Sequence, residues 1–193
     1  MSDAVFLEYR FNPEREPYQP LFDRLTKLGF TQRSKHSVSN VEVWVQSRAI
    51  LLVQPDYLYS DVGKIMGLGV VSNSHPMDEI SNVYLDERTD FYARECNNGF
   101  KFYFTETESL THLYKVTNSA PAVSSGITAF GGLVISSTNK DIKDTLEVIA
   151  EKVEKSDKYS KYIFKNKFTI FLKEDSDEGV ELLVSETVDC LLY

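Results

Sequence analysis

The sequence has few of the residues that define several common classes of protein. Its 193 residues include only two cysteines, Cys96 and Cys190, together with three histidines and one tryptophan. The cysteines lie far apart and lack the spacing of a metal site, and such sparse use of cysteine is typical of a reducing compartment. We therefore expect a cytoplasmic protein.

Long apolar runs are absent as well. The opening residues, MSDAVFLEYRF, carry charge and lack the apolar centre of a signal peptide, and no later stretch has the apolar length that crosses a bilayer. The formal net charge of −8 disfavours binding to nucleic-acid phosphates. We interpret the lysine-rich run 158–167 as an exposed edge strand instead. The composition thus predicts no nucleic-acid partner and no membrane partner.

The first third of the chain has the periodicities of a strand, a helix and two further strands. The apolar stripe of residues 17–28 has helical spacing, and Gly29 is placed to end that helix in a left-handed conformation. Residues 41–46 alternate between apolar and polar positions, as a strand with two unlike faces does. The strands are predicted at residues 4–11, 41–46 and 49–54.

The middle of the chain is less regular. Residues 55–78 contain Gly63, Gly67 and Gly69 and are interpreted as irregular. A strand is predicted at 80–85. Residues 86–98 then fit either a helix or a strand that leads into a hairpin turn at 97–99, and both alternatives stay open. Further strands are predicted at 100–105 and 112–117.

The last third repeats the plan of the first. A strand at 127–136 is expected to bend or bulge at its paired glycines, Gly131 and Gly132. A long helix is predicted at 140–155 from a stripe that includes Leu146 and Val153, and strands follow at 164–172 and 180–185. We expect one domain, 1–193, with two or more modules: 1–56, an irregular unit at 57–125, and a strand–helix–strands unit at 126–193.

The order of these segments resembles a known superfamily. The matching segments are Phe6-Leu7-Glu8-Tyr9, Lys27-Leu28-Gly29-Phe30, Lys35-His36, and the strands at 41–46 and 49–54. They are similar to the vicinal-oxygen-chelate superfamily, and most closely to the N-terminal half of bacterial 4-hydroxyphenylpyruvate dioxygenase-like proteins. The likeness covers about residues 5–105. It departs from the family pattern at Ser47, Gln54 and Pro76.

The resemblance implies an α+β fold of paired βαβββ modules, with mixed or antiparallel curled sheets and the helices outside. Two such modules enclose a cavity for a small molecule. The resemblance does not carry over the dioxygenase activity, because the iron ligands of that family belong to its other half. Metal ligands of the superfamily come from the first and last strands of a module. His36, His75 and His112 are predicted to lie outside such strands, as surface or packing residues.

Carboxylates provide the remaining candidate site. Glu8 lies in the first strand and Glu181 in the last, and with Gln54 they offer oxygen ligands for Mg²⁺ or Mn²⁺. The alternative is that both glutamates face solvent. Trp44 and Gln46 share one face of their strand; Trp44 is then either a ligand-stacking wall or a core aromatic. We predict a ligand-binding set of Glu8, Trp44, Gln46 and Glu181, with Glu8 on the concave side.

Three functions are compatible with these observations. The shortage of histidines favours a non-catalytic protein that binds a small molecule or a protein partner, with no cofactor. A metal-dependent lyase, isomerase or dioxygenase that uses a divalent metal is the second. A structural or interaction protein that keeps the fold as a scaffold is the third, since fold does not fix function. A homodimer is compatible with all three.

Overall fold

The computed structural model describes residues 2–35, 40–46, 48–60, 62–72, 80, 84–86, 91–105, 127–186 and 190–192. These residues form two mixed β-sheets with one helix assigned to each. The helices are α1 (Tyr18–Lys27) and α2 (Lys140–Ile149). The strands are β1 (Ser2–Phe11), β2 (Thr31–Lys35), β3 (Glu42–Gln46), β4 (Ala49–Pro55), β5 (Lys64–Ser72), β6 (Tyr84–Asp86), β7 (Phe91–Glu95), β8 (Lys101–Thr105), β9 (Ile127–Ser136), β10 (Lys152–Lys155), β11 (Ser160–Ile163), β12 (Thr169–Lys173), β13 (Gly179–Glu186) and β14 (Cys190–Leu192).

Helix α1 ends as its sequence predicts. Gly29 adopts a φ of +92°, a conformation that glycine reaches without steric cost. The amide of Phe30 donates to the carbonyl of Leu25 at 2.9 Å, which satisfies a carbonyl that the helix end leaves free. Leu25 and Phe30 are both buried. The helix therefore stops where an apolar residue can cover its last turn.

Helix α2 is shorter than its sequence predicts. Asn139 caps it by accepting from the amide of Asp141 at 2.9 Å, and the helix ends at Ile149. Residues 152–155 form strand β10, paired with β11, and Val153 is 37% exposed. The predicted helix at 140–155 is therefore wrong beyond residue 149. Sheet pairing has overridden a helical spacing that Val153 fits only by coincidence.

The first sheet contains eight strands in the order β2-β3-β4-β1-β5-β8-β7-β6. Strands β1 and β4 are parallel, as are β5 and β8, whereas β1 and β5 are antiparallel to each other. The two halves of the sheet thus repeat one arrangement about the β1–β5 junction. The two central strands of the sheet, β1 and β5, are the first strands of its two halves.

Strand β5 corrects the prediction that residues 55–78 are irregular. Gly67 lies opposite Glu8 and Gly69 lies opposite Phe6. A Cβ atom on Gly69 would lie 2.1 Å from the Phe6 ring, which is far inside van der Waals contact. These glycines are therefore strand residues that leave room for large side chains of the neighbouring strand.

Replacing Gly69 by alanine is expected to lower the free energy of unfolding by about 1–3 kcal/mol through overpacking. The Phe6 ring cannot move aside easily, because it is buried and packs against Phe91 and Tyr103 at centroid distances of 5.4 and 5.8 Å. Gly179→Ala is the matched control, since nothing lies within 4 Å of a Cβ there. Urea unfolding would measure both variants, and equal midpoints would contradict this packing.

The hairpin alternative is correct for residues 91–98. Strand β7 covers 91–95, and β7 and β8 are antiparallel. A tight turn joins them at 97–99, where Gly99 has a φ of +88°, and the amide of Cys96 donates to the carbonyl of Phe100 at 2.8 Å. The helix alternative is therefore wrong for these residues. The Asn-Asn-Gly sequence was the informative signal.

The second sheet has the order β10-β11-β12-β9-β13-β14. Strands β9 and β12 are parallel and β9 and β13 antiparallel, which is the pattern of half of the first sheet with two strands added. The pairing with β13 skips Gly131, so the predicted bulge is confirmed. The lysine-rich run is not an edge strand, because β11 lies between β10 and β12.

One apolar core connects the two sheets. Phe30 after α1 stacks on Phe130 of β9 at 6.1 Å, and the buried clusters beneath both helices are continuous. Polar contacts reinforce the junction. The side-chain amide of Asn166 bonds both backbone groups of Ala4, accepting at 3.3 Å and donating at 2.6 Å. No helix in the described ranges is long and apolar enough to cross a membrane.

Candidate functional site

A buried ion pair lies at the centre of the first sheet. Glu8 and Arg10 are two residues apart on β1, so both side chains point to the same face. The Arg10 Nε atom donates to Glu8 Oε1 at 2.8 Å, and Arg10 Nη2 lies 2.8 Å from the same oxygen. The Tyr103 hydroxyl donates to the other carboxylate oxygen. We call Glu8, Arg10 and Tyr103 the Glu8 cluster.

The Glu8 cluster is enclosed by apolar side chains. Glu8 and Tyr103 are 0% exposed and Arg10 is 5% exposed. Arg10 Nη1 also donates to the carbonyl of Gly99 at 2.8 Å. The buried apolar residues on this face form a separate core of their own, made of Phe6, Val41, Val45, Ile50, Leu52, Val71, Ala93 and Tyr103. Among the described residues, the Glu8 face is therefore lined by buried side chains of the chain itself.

Alternation along β1 separates Glu8 from Leu7 and Tyr9, but the local pattern did not predict the partners of Glu8. Arg10 has a local signal, because residues two apart in a strand share a face. Tyr103 has none, since it lies 95 residues away and reaches Glu8 only through the pairing of β5 with both β1 and β8. The room that it needs comes from Gly67, where a Cβ atom would lie 2.9 Å from both Glu8 Cβ and the Tyr103 ring.

The Glu8 cluster does not fit a divalent metal. The Arg10 guanidinium lies beside the Glu8 carboxylate, and it cannot be deprotonated in a protein. Gln54 is paired with Arg10 across the strands, and its buried amide oxygen accepts no hydrogen bond within the described ranges. A metal bound by Glu8 and Gln54 would lie against this fixed cation, so these residues do not suit the predicted alternative site.

Histidines would be the other expected ligands. His36, His75 and His112 all lie outside the described residues, and so do the predicted strand at 112–117 and part of the one at 80–85. Among the residues that the structure describes, no group of three or more His, Cys, Asp or Glu side chains is placed to hold a metal ion.

Trp44 and Gln46 lie on the other face of the first sheet. The Trp44 ring packs on Phe22 of α1 at a centroid distance of 5.1 Å and belongs to the core under the helices. Gln46 approaches the end of α1, where a Cβ on Gly29 would meet its amide at 2.9 Å. The structure therefore does not bring these two residues to Glu8. Trp44 is a core aromatic, which was the alternative interpretation of it.

Glu181 lies in the second sheet, on the face opposite α2. It is exposed, whereas its neighbours on β13, Val180 and Leu182, pack against the core. Glu8 and Glu181 therefore belong to different sheets and differ completely in burial. The predicted ligand-binding set is divided among three places, and its role in binding stays a prediction.

The face of the second sheet that carries Glu181 is more exposed than the face of the first sheet that carries Glu8. Val134 of β9 and Phe171 of β12 lie beside each other on it and are half-buried. Residues on either side of them in sequence, such as Leu133 and Ile170, point to α2 and are fully buried. We call the exposed side the open face. Among the described residues, the helix covers one face of this sheet, and Val134 and Phe171 on the other face stay partly exposed.

A surface groove beside α1 has a volume of about 530 Å³. Its charged groups are already paired: Glu16 accepts from the Tyr9 hydroxyl at 2.9 Å and from Arg24, and Arg15 donates to the carbonyl of Ser60. Burial and then the bond to Glu16 raise the pKa of Tyr9 well above its usual range. The Tyr9 phenol therefore stays protonated and holds the loop to the sheet.

Cys96 is not an activated nucleophile. Its side chain is buried in the turn between β7 and β8, and burial is the main reason that its pKa is raised to about 12. At neutral pH the group is therefore a thiol, the unreactive form.

Comparisons with known proteins identify the fold. No family model matches the sequence, and no curated protein matches it. Among solved structures, a xylose isomerase-like TIM barrel/4-hydroxyphenylpyruvate dioxygenase fusion protein superposes with a TM-score of 0.59 at 13% identity, over 88% of this chain and 31% of that one. A mutant of 4-hydroxymandelate synthase from Streptomyces coelicolor gives 0.56 at 10% identity, over 92% and 64%.

A Mn(II)-bound glyoxalase from Novosphingobium aromaticivorans gives a TM-score of 0.53 at 10% identity, over 94% of this chain and 65% of that one. This chain therefore spans less than two thirds of the length of each of these three structures. At such identities the superpositions establish the fold and not the activity. They agree with the repeated half-sheets and the outer helices described above. The chain has the vicinal-oxygen-chelate fold, as the sequence predicts.

Proposed function

We propose that this chain is a non-catalytic binding protein that uses the vicinal-oxygen-chelate fold as a scaffold. The observation that carries the proposal is the Glu8 cluster. In it, the carboxylate that the resemblance offers as a metal ligand is held by Arg10 and Tyr103 instead. The charge of Glu8 is thus compensated inside the protein, without a metal.

The cluster also favours a protein partner over a small molecule bound at Glu8. A ligand at Glu8 would have to displace a guanidinium and a tyrosine hydroxyl from a completely buried carboxylate. Breaking a buried ion pair costs several kcal/mol, because a charge is left uncompensated. The open face of the second sheet requires no such rearrangement, since Phe171 and Val134 are already partly exposed.

Metal analysis tests the proposal against the enzyme alternative. Protein purified without a tag is expected to contain well below one equivalent of Fe, Mn, Ni or Zn when measured by inductively coupled plasma mass spectrometry. The physical reason is that Glu8 already has a fixed cationic partner in Arg10. One equivalent of any of these metals, retained after dialysis, would contradict a non-catalytic role and favour the metal-dependent enzyme.

A further inference from the structure

The open face carries a row of four side chains that runs across the sheet from a basic residue, through two apolar residues, to an acidic residue. Lys161 of β11, Phe171 of β12, Val134 of β9 and Glu181 of β13 are successive cross-strand partners. A positive charge therefore lies at one side of the row, a negative charge at the other, and two apolar residues between them. All four are at least partly exposed.

The two charges at the ends of the row cannot pair within one chain. Neighbouring strands lie about 4.8 Å apart, so three spacings separate Lys161 from Glu181 by about 14 Å. On the positive side, Glu154 is shared between Lys152 at 2.5 Å and Lys161 at 3.6 Å, so one lysine charge is left in excess. Within the described part of the chain, Glu181 forms no ion pair. Each end of the row therefore has charge available for an outside partner.

The row is complementary to itself. Consider a second copy that packs face to face on the first and is related to it by a two-fold axis. The axis runs parallel to the strands, in the gap between the two sheets, and lies over the boundary of β12 and β9. Phe171 then faces Val134 of the other copy. The same rotation places Lys161 opposite Glu181 at both ends. Facing sheets pack about 10 Å apart, a gap that extended lysine and glutamate side chains bridge together. A two-fold interface of this kind uses one surface patch on both subunits.

We propose that the open face is a homodimer interface, in which Lys161 of each subunit pairs with Glu181 of the other around an apolar centre of Phe171 and Val134. This proposal names the protein partner of the proposed function and rests on it. The face is about four strands wide, which corresponds to a small interface. We therefore expect a reversible dimer that weakens as salt screens the charge pairs.

Single charge reversals test the pairing by sedimentation velocity over a concentration series. Glu181→Lys places two lysines opposite each other at both ends of the interface, and Lys161→Glu does the same with two glutamates. Because like charges brought together across an interface are strongly unfavourable, each variant is expected to dimerise at least about tenfold more weakly than the original chain.

Mixing the two variants provides the decisive comparison. In a mixed dimer, the glutamate at 161 of one chain faces the lysine at 181 of the other, and Glu181 of the first faces Lys161 of the second. We expect the equimolar mixture to dimerise with roughly the affinity of the original chain. A merely unfolded or damaged variant would not regain dimerisation on mixing, so recovery also shows that both variants are folded.

The control pair lies on α2, on the other side of the sheet. Lys140→Glu and Asp144→Lys make the same charge changes at exposed positions and are expected to leave dimerisation unchanged. An original chain that stays monomeric at 100 μM, variants that dimerise normally, or a mixture that does not recover would each overturn the dimer. None of these results bears on metal content, so the non-catalytic proposal is judged separately by metal analysis of the same samples.

Discussion

Replacing Glu8 by glutamine is expected to lower the free energy of unfolding by about 3–5 kcal/mol, because it leaves the buried Arg10 charge without its counter-ion. Both side chains are almost inaccessible to water, so solvent cannot take over the role of the carboxylate. Glutamine keeps the size of the side chain, which isolates the effect of charge. Urea denaturation monitored by circular dichroism would measure the change.

The double variant Glu8→Leu/Arg10→Met separates this explanation from a simple packing defect. Replacing both members of a buried ion pair by apolar residues is often neutral or stabilising, so the double variant is expected to be more stable than Glu8→Gln. Glu174→Gln is the surface control, since Glu174 pairs with Lys143 in solvent, and it should leave the midpoint unchanged. A Glu8→Gln variant as stable as the original chain would contradict the structural role of the cluster.

Replacing Leu146 by alanine is expected to lower the free energy of unfolding by about 2–5 kcal/mol. Leu146 is completely buried between α2 and the second sheet, together with Ile142 and Ile149. Truncation there leaves a cavity that the neighbouring side chains fill only in part. Urea unfolding would again provide the measurement.

Lys143→Ala is the matched control on the same helix. Lys143 points to solvent and pairs with Glu174 at 2.6 Å, a surface ion pair of the kind that contributes little to stability. We expect no measurable shift of the urea midpoint for this variant. If Leu146→Ala and Lys143→Ala shifted the midpoint equally, the orientation of α2 on the sheet would be wrong.

Local sequence predicted the elements whose signals are local. The apolar stripe predicted α1, Gly29 predicted where that helix ends, and the alternation of residues 42–46 predicted β3. The paired glycines at 131 and 132 correctly indicated a bulge. The resemblance added the order of the segments over residues 5–105, and the fold that it implied is the one observed.

The errors come from positions where a distant neighbour decides the structure. Gly67 and Gly69 look like punctuation between elements, yet they are strand residues that accommodate Glu8 and Phe6. Val153 continues the helical spacing of α2, but pairing of β10 with β11 ends the helix before it. In both cases the local structure is decided by a strand pairing that the local sequence does not reveal.

The candidate site divides in the same way. Alternation along β1 predicted that Glu8 and its two neighbours point to opposite faces, and Glu8 does lie on the face away from α1. The local pattern could not predict that Tyr103 contacts Glu8, because Tyr103 belongs to β8. The same holds for the row on the open face, where Lys161 and Glu181 are related only through the order of four strands.

The central claim is that the Glu8 face is a closed structural core and not a metal site. Its most direct test is thermal unfolding of the untagged protein in EDTA and in excess MnCl₂ or ferrous salt under anaerobic conditions, since a ligand that binds only the folded state raises the midpoint. We expect the same midpoint in EDTA and in either metal. A higher midpoint in metal that disappears in Glu8→Gln would contradict it.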